Sequence, residues 1–431
     1  MTTRLLHVTT VPVTLRFLSG HVRHAKCLGY EVHALSSPGE LLDKFGRDLG
    51  IPVYPATMPR RITPMGDLAS LWRIGRIMRR IRPSIVDGHT PKGGLLAMMA
   101  ATLCQVPVRV YHMHGLPLMT ATGWKRRLLR ATETAACRLA HQVYCVSASV
   151  REVAIAEGLC PADKIKVLGG GSIAGIDAQS RFNPALLPPT VRNEVRARHG
   201  IPADALVAGF VGRIVRDKGI IELAAAWQAL REEFPNLHLL CAGPFESQDP
   251  VPAVVERMLR SDPRIHLAGD VNEMPSFYRA LDLLVLPTYR EGLPTVLLEA
   301  SAMELPLVAT RIPGCIEAVR DGETGILVPM KDASALATAA RSYLRDAELR
   351  RRHGVHGRRF MVRAFCPETL QEMLHQEYEC LLAGRARLTC RAHEPRPSGR
   401  VSGSRGVSHA NAGRETEIPM VRSQTECGNE E

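Results

Sequence analysis

The chain has 431 residues, of which 45% are hydrophobic and 23% charged, and its formal net charge is +12. This composition is typical of a globular protein and excludes a disordered or fibrous chain. The length predicts two or three domains, because one domain usually takes about 100 to 200 residues.

The first half of the chain alternates short apolar, β-rich runs with helical patterns. These runs predict six strands, at residues 5–10, 32–35, 53–54, 85–86, 108–111 and 143–146. Such alternation is typical of a parallel sheet with crossover helices on both faces. We therefore predict a doubly wound, Rossmann-like α/β domain over residues 1–172. An irregular segment follows the glycines at residues 169–171, and we interpret residues 173–184 as an interdomain linker.

The second half repeats this alternation. Six further strands are predicted, at residues 206–211, 237–241, 265–268, 283–286, 307–309 and 326–328, which indicates a second Rossmann-like domain over residues 185–384. A last helical pattern at residues 367–382 either closes this domain or crosses back to the first one. Residues 385–431 are rich in Ser, Gly, Arg, Pro and Thr without apolar periodicity, so we predict a disordered tail and assign it no function.

No segment is predicted to cross a membrane or to direct export. The longest apolar stretch, residues 93–108, is shorter than the roughly 20 residues that a spanning helix needs. The N-terminus runs directly into the first predicted strand, without the basic and apolar regions of a signal peptide. The eleven cysteines include no CxxC pair and lie mostly among apolar neighbours, which predicts reduced core thiols and no zinc site. We therefore expect a cytoplasmic protein.

Positive charge is concentrated in residues 1–172, which contain 23 Lys and Arg against 10 Asp and Glu. Residues 67–82 and 124–138 combine Arg with apolar residues at helical spacing. Each segment is either a core-packing helix with a solvated basic back or a surface that lies on anionic lipid. Nucleic acid is disfavoured as a partner, because only 5% of residues are aromatic and no recognised motif occurs. In the first segment, five apolar residues are predicted to share one helical face: Leu68, Leu71, Ile74, Met78 and Ile81.

Two cations follow the strand predicted at residues 206–211. This strand ends at Gly212, and Arg213 and Lys218 lie in the loop before the next helix. Ligands of open α/β sheets bind at the carboxyl ends of strands, so both cations are placed where they would neutralise a diphosphate. The alternative is that they are two solvated loop residues.

The strongest signal is the sequence YREGLPTVLLEA at residues 289–300, directly after the strand predicted at 283–286. Pro294 suits the first position of a helix. The backbone N–H groups of Gly292, Leu293 and Thr295 would then lie at a helix N-terminus, which is a natural phosphate site.

Two carboxylates flank this helix start. Glu291 precedes the helix and Glu299 lies inside it, so we expect both to face one cleft from different depths. Carboxylates beside an anion site are costly unless they accept hydrogen bonds from neutral hydroxyls, as on a sugar. The alternative for a single Glu is a favourable interaction with the helix dipole, but the pair after a strand favours a binding site.

Together, this Glu-x7-Glu pair, the segment GRIVRDKG at residues 212–219 and the run LPLVATRIPGCIEAVRDGETGILVP at residues 305–329 resemble the retaining glycosyltransferases of family 4. The resemblance covers roughly residues 4–380. It implies a GT-B fold, in which two Rossmann-like domains face each other across a cleft, and transfer from a nucleotide diphosphate sugar, a UDP-sugar being favoured. Members usually need no metal, and the sequence contains no Asp-x-Asp, so we expect no metal or other cofactor.

The resemblance also implies roles for individual residues of the second half. Glu291 would bind the donor sugar hydroxyls and Glu299 the nucleotide ribose, while Arg213 and Lys218 would bind the diphosphate. The helix start at residues 292–295 and Gly212 would complete the donor site. We expect front-face substitution, in which the departing phosphate oxygen takes the proton of the acceptor, and we assign no nucleophile.

Two segments of the first half, HTPKGG at residues 89–94 and YHMHG at residues 111–115, each follow a predicted strand. Their side chains are therefore expected to face the cleft. His114 and Gly115 match the family's His-Gly position near the donor sugar, so His114 is predicted to be catalytic. His89 and Lys92 resemble acceptor-side residues. The alternative for each histidine is a structural role.

Three positions depart from the family's pattern. The loop at residues 9–14 lacks the Gly-Gly pair that often follows the first strand. Glu304 stands where the family usually has a glycine with positive φ, at an expected cost of roughly 1 kcal/mol. Ala174 replaces the Asn of the linker motif Asn-Gly-Val-Asp.

The sequence leaves three alternative functions open. The leading hypothesis is an enzyme that adds a sugar to a polyprenyl-diphosphate-linked or other glycan acceptor in surface polysaccharide biosynthesis, bound peripherally to the anionic inner face of the plasma membrane through its basic first domain. The second is a nucleotide-sugar 2-epimerase of the same fold. The third is a non-catalytic nucleotide-sugar-binding protein, which the departures at Glu304 and Ala174 favour.

Overall fold

The first half of the chain forms a parallel sheet of seven strands. The structure is a computed structural model, and it describes residues 2–59, 63–172 and 174–384. The strand order is β3-β2-β1-β4-β5-β6-β7, and every pairing is parallel. The strands are β1 (Arg4–Val8), β2 (Glu31–Ser36), β3 (Val53–Pro55), β4 (Ile85–His89), β5 (Val108–Met113), β6 (Gln142–Cys145) and β7 (Ile165–Lys166).

The second half forms a parallel sheet of six strands in the order β10-β9-β8-β11-β12-β13. In both sheets the order reverses beside the first strand, at β1/β4 and at β8/β11, which is where open α/β sheets bind their ligands. The strands are β8 (Leu206–Val211), β9 (Leu237–Ala242), β10 (Ile265–Gly269), β11 (Leu283–Leu286), β12 (Leu307–Thr310) and β13 (Gly325–Val328).

Helices connect the strands of both sheets. In the first half they are α1 (Ser19–Cys27), α2 (Glu40–Leu49), α3 (Pro64–Ile81), α4 (Pro91–Leu103), α5 (Gly123–Leu139) and α6 (Ala148–Ala156). In the second half they are α7 (Val191–Arg198), α8 (Ile220–Glu233), α9 (Ala253–Ser261), α10 (Met274–Arg279), α11 (Thr295–Ala302), α12 (Cys315–Ala318), α13 (Ala333–Arg345), α14 (Ala347–Ala364) and α15 (Pro367–Leu382). None of these described helices combines the length and the apolar character that crossing a bilayer requires.

Each strand predicted from the sequence coincides with a strand of the structure, because most strands of these parallel sheets are buried and largely apolar. One strand was missed, since β7 has only two residues and no apolar run. β4 is longer than predicted because Asp87, Gly88 and His89 continue it, and all three are buried. Polar residues inside a buried strand interrupt the apolar pattern that a sequence prediction follows.

The last helix, α15, packs against the first half of the chain. Leu374 and Tyr378 belong to the core cluster around β1 and β2, and Glu377 forms an ion pair of 2.9 Å with Lys166 of β7. Of the two alternatives for this helix, the structure therefore shows the crossing back. Residue 173 of the predicted linker and the whole predicted tail, residues 385–431, lie outside the described residues.

The predicted apolar face of α3 is wrong at one position. Ile74, Met78 and Ile81 are buried as expected, but Leu68 is 62% exposed. Six residues correspond to about 600° of helical rotation, so Leu68 points roughly 120° away from Ile74. Leu68 instead joins Trp72 on the outer side of the helix, where both side chains are exposed.

Candidate active site

A cleft of about 330 Å³ lies between the carboxyl ends of the two sheets. Both halves of the chain contribute to its walls, as expected for a ligand site at the strand-order reversals of two facing sheets. The lining residues are Thr14, Phe17, Thr90, His114, Val146, Ser172, Ala174, Val211, Gly212, Lys218, Glu291, Leu293, Pro294, Thr295 and Val296.

An ion pair between Lys218 and Glu291 forms the charged wall of the cleft. Lys218 ends a short 3-10 helix after β8, and the chain then turns through Gly219, whose φ of 70° is left-handed. A Cβ at Gly219 would collide with the carbonyl oxygen of Pro287, so only glycine fits this turn. Both charged side chains are mostly buried, so the pair is screened less by water than an exposed one.

The start of α11 forms the adjoining wall. Helix α11 begins at Thr295, and Pro294 has an extended ψ of 104° and precedes the helix. The prediction of Pro294 as the first helical residue is therefore off by one position. Leu293, Pro294 and Thr295 all line the cleft, so the unpaired N–H groups of the first helical turn lie beside it.

The two halves of the chain meet at Gly292. A Cβ at Gly292 would collide with the carbonyl oxygen of His114, and the hydroxyl of Ser147 donates to the Gly292 carbonyl at 2.8 Å. Gly115, with φ of 137°, packs on the other side of this contact. The glycine in the EGLP sequence therefore permits the two walls to meet.

A second contact between the halves was not predicted. The carboxylate of Glu317 accepts hydrogen bonds from the backbone N–H and the hydroxyl of Ser149, at 2.6 and 2.8 Å, and from the N–H of Gly314 at 3.1 Å. Its only sequence signal is a Glu three residues after a glycine in PGCIEA, which is a common helix-start pattern.

His114 lines the cleft as expected, but His89 does not. Burial lowers the pKa of His114 to about 4, so its ring is neutral at pH 7. His89 has no exposed surface and lies behind His114, with its Nδ1 3.1 Å from Nε2 of His114. The expectation that both side chains face the cleft is therefore corrected for His89, because β4 continues to this residue and buries it in the sheet.

Lys92 and Arg213 lie beside the cleft rather than in its wall. Lys92 forms an ion pair of 2.6 Å with Asp67 and so joins α4 to α3. Arg213 pairs with Glu246 at 2.8 Å, with its side chain half exposed. Such ion pairs compete with any ligand for the cation.

Glu299 lies deeper than Glu291. The hydroxyl of Tyr278 donates to its Oε2 at 2.8 Å, and burial raises the pKa of Glu299 above its usual value. Glu299 is not part of the cleft wall described above. A ligand would have to reach past the first turn of α11 to contact it.

Comparison with known proteins agrees with this geometry. Residues 17–171 match the family model described as a glycosyl transferase 4-like domain, and residues 205–346 match that of the glycosyl transferases group 1. The chain is 31% identical over 380 residues to the capsular polysaccharide biosynthesis glycosyltransferase CapM of Staphylococcus aureus, with 88% of this chain and 97% of that protein covered. The chain belongs to glycosyltransferase family 4.

Two further proteins resemble this family 4 glycosyltransferase. The UDP-Gal:α-D-GlcNAc-diphosphoundecaprenol α-1,3-galactosyltransferase of Escherichia coli is 25% identical over 289 residues, with 66% of this chain and 73% of that protein covered. The solved structure of HepE from Anabaena in complex with UDP and glucose has a TM-score of 0.73 at 18% identity, over 88% of this chain and 100% of that one. The predicted GT-B fold is confirmed.

The departures from the family 4 pattern have local structural consequences. In place of a Gly-Gly loop, a 3-10 helix at Pro12–Leu18 brings Thr14 and Phe17 to the cleft. Glu304 has the expected left-handed backbone, with φ of 63°. Ala174 lines the cleft, and its N–H lies 3.3 Å from the hydroxyl of Ser172.

One group of side chains in the described part of this glycosyltransferase offers three potential metal ligands. Ligand atoms of His7, Asp87 and His89 lie within 4.8 Å of one another, and all three residues are buried. The group lies beneath His114 and outside the cleft wall.

Proposed function

We propose that this family 4 enzyme is a retaining, metal-independent glycosyltransferase that moves a sugar from a UDP-sugar to a polyprenyl-diphosphate-linked or other glycan acceptor in surface polysaccharide biosynthesis. The ion pair of Lys218 and Glu291, beside the first turn of α11 in a cleft that His114 also lines, carries this proposal. The likeness to CapM supports a role in surface polysaccharide biosynthesis, the likeness to the Escherichia coli galactosyltransferase supports a polyprenyl-diphosphate-linked acceptor, and the complex of HepE with UDP supports the donor.

The charged wall accounts for donor binding. A diphosphate beside Lys218 and the free N–H groups at the start of α11 would meet a cation and helix-end dipoles, which are the groups that stabilise phosphate without a metal. The diphosphate would displace Glu291 from Lys218 in part, and the carboxylate would then accept hydrogen bonds from the hydroxyls of the donor sugar. Arg213, in the loop after β8, would exchange Glu246 for an outer phosphate oxygen.

The reaction follows from this arrangement. The bond between the anomeric carbon and the diphosphate oxygen breaks, and the acceptor oxygen bonds to the same face of that carbon. The departing phosphate oxygen takes the acceptor's proton, so no protein base is needed. Lys218 and the helix N–H groups stabilise the negative charge that develops on the leaving diphosphate.

The outer surface of the first half supports a lipid-linked acceptor. Trp72 on α3 and Trp124 on α5 are 62% and 74% exposed, and both helices pack against α4. Exposed aromatic side chains next to cations are typical of surfaces that lie on anionic membranes. The exposed cations of the two helices are Arg73, Arg76, Arg79, Arg80, Lys125, Arg127, Arg130 and Arg138.

The reaction is tested by release of nucleoside diphosphate from UDP-, GDP- and ADP-sugars, with bacterial lipid extract added or withheld and with a metal chelator present. The proposal predicts lipid-dependent release from a UDP-sugar that chelator does not suppress and a retained anomeric configuration in the product. Glu291→Ala should release the nucleoside diphosphate more slowly, by roughly 100-fold or more. Conversion of the donor without an acceptor would instead identify an epimerase. Donor binding without turnover under every condition would identify a non-catalytic protein.

The membrane surface is tested separately by sedimentation with vesicles that contain phosphatidylglycerol. Replacing Trp72 and Trp124 together by Ser is expected to reduce vesicle binding several-fold. Added salt should also weaken binding by wild type, because the Debye length is only about 10 Å at 0.1 M salt and the interactions of exposed charges are then screened. Leu186→Ser is a matched control, because Leu186 is also exposed but lies in the second half of the chain. Equal vesicle binding by all three proteins would exclude this surface.

A further inference from the structure

Three histidines beneath the cleft form a hydrogen-bonded column that ends at His114. Nε2 of His114 lies 3.1 Å from Nδ1 of His89, and Nε2 of His89 lies 3.1 Å from Nδ1 of His7. His7 belongs to β1 and His89 to β4, which pair with each other, and His114 follows β5, the next strand. The column therefore crosses the strand-order reversal of the first sheet and reaches the cleft only through His114.

A buried carboxylate lies at the foot of this column. Asp87 accepts a hydrogen bond from Nδ1–H of His112 at 2.7 Å and one from the hydroxyl of Tyr378 on α15 at 2.5 Å. Its oxygens are also 3.6 Å from Nε2 of His89 and 3.8 Å from Nδ1 of His7. At these distances Asp87 forms no direct hydrogen bond with either ring. Its negative charge nevertheless attracts the proton shared between His7 and His89.

The environment of His7, at the buried end of the column, indicates which of its ring nitrogens carries the proton. Burial lowers the pKa of His7 to about 4, so this ring is neutral at pH 7 and has one N–H. Within the described part of the chain, Nε2 of His7 is buried without a hydrogen-bond partner. A buried N–H without an acceptor is rarer in proteins than an unused acceptor, so the proton of His7 belongs on Nδ1.

This assignment determines every other ring in the column. Nδ1–H of His7 donates to Nε2 of His89, which must then have its own proton on Nδ1. Nδ1–H of His89 donates to Nε2 of His114. The remaining proton of His114 is therefore on Nδ1, the ring nitrogen that the column leaves for a ligand in the cleft.

We propose that His7, His89 and Asp87 are positioning residues that hold His114 in its Nδ1–H tautomer, so that it donates a hydrogen bond to an oxygen of the bound donor sugar. The inference rests on the proposed function and deepens it. With Nε2 occupied by His89, His114 has no free nitrogen to accept a proton. It therefore does not act as the base of the reaction, which agrees with proton transfer to the leaving phosphate oxygen.

A metal ion bound by His7, Asp87 and His89 is the competing interpretation of the same residues. An ion there would replace the proton between the two rings. The 3.1 Å separation of the ring nitrogens is an ordinary hydrogen-bond distance, and both oxygens of Asp87 already accept hydrogen bonds from His112 and Tyr378. Hydrogen bonding therefore accounts for the geometry of this group.

The test compares two substitutions of His7. His7→Leu removes the donor, so that His89 is free to turn its Nε2–H toward Asp87 and to accept from His114. His7→Asn keeps an amide N–H near the position of Nδ1. The tautomer of His114 is read by ¹⁵N NMR of histidine-labelled full-length protein, with His114→Asn for assignment, and both His7 variants are checked by thermal unfolding.

The expected result is Nδ1–H on His114 in wild type and His7→Asn, and Nε2–H in His7→Leu. We also expect His7→Leu to lower kcat by roughly 10- to 100-fold, because a misoriented His114 would no longer reach the donor sugar correctly. His7→Asn should keep most of the wild-type kcat. An Nε2–H tautomer in wild type overturns the inference even if His7→Leu does not fold. Stoichiometric metal in wild type that is lost in His7→Leu also overturns it. If wild type transfers no sugar, the proposed function fails while the NMR result still decides the tautomer.

Discussion

The two halves of the cleft contribute to it in different ways. In the second half, Lys218 and Glu291 come from the loops after the neighbouring strands β8 and β11, and their side chains form an ion pair in the cleft wall. In the first half, His114 reaches the cleft while His89 and Asp87 are buried behind it. One wall is therefore an ion pair between two strand-end loops, and the other is a single side chain hydrogen-bonded to buried neighbours.

The largest effect is expected at the charged wall. Glu291→Ala and Lys218→Ala should each lower kcat/KM by roughly 100-fold or more, because each removes a contact to the donor in the transition state. Lys92→Ala is the matched control, since Lys92 pairs with Asp67 outside the cleft wall and should stay near the wild-type rate. Wild-type rates in both site variants would contradict the account of this wall.

The next largest effect is expected at Gly292, where the two walls of the cleft meet. Gly292→Ala should reduce turnover about 10-fold or more, because the new Cβ would collide with the carbonyl oxygen of His114 and force the walls apart. Gly75→Ala in α3 is the control, since a Cβ there meets only the sulfur of Cys104 at 3.9 Å. Steady-state kinetics of both variants measure the difference, and equal rates would mean that the walls need not meet.

The two walls differ in how far a sequence pattern can locate their residues. Lys218 and Glu291 lie in the loops that follow apolar strands, so strand position brings them to the sheet edge. The histidine column depends on the order β1-β4-β5, which joins residues 82 positions apart, and on a polar end of β4 that interrupts the apolar pattern. His89 lies at this end of β4 and is buried there, so it does not reach the cleft as expected.

A buried carboxylate of the first half provides a pH-dependent test. Burial raises the pKa of Glu133 to about 7, and its single described partner is the hydroxyl of Tyr111, which donates to Oε2 at 2.7 Å. The folded state therefore binds this proton more tightly than the unfolded state, so wild type loses stability as the pH rises from about 4.5 to about 7.

Glu133→Gln removes this titration. Its melting temperature should exceed that of wild type at pH 8, and the difference should shrink as the pH falls to 4.5, because burial then no longer shifts the proton balance: folded Glu133 is protonated and unfolded Glu133 is becoming so. Thermal unfolding of the two proteins at several pH values measures the trend. A difference that does not vary with pH would mean that Glu133 is not kept neutral by burial.

The smallest effect is expected in the second half, away from the cleft wall. Glu304 has a left-handed φ of 63°, which costs a non-glycine residue roughly 1 kcal/mol. Glu304→Gly should raise the free energy of unfolding by about that amount without changing turnover. Glu304→Ala, which keeps the strained backbone, is the control, and equal stabilities of the Gly and Ala variants would show that the position is not strained.

The difference between the two walls is tested most directly by the affinity for UDP, measured by calorimetry on wild type, Lys218→Ala and Lys92→Ala. Loss of one charge-assisted phosphate contact should weaken UDP binding roughly 10-fold or more in Lys218→Ala. Lys92→Ala should bind UDP as wild type does. Unchanged affinity in Lys218→Ala, or an equal loss in both variants, would contradict the assignment of the Lys218 and Glu291 wall as the donor site.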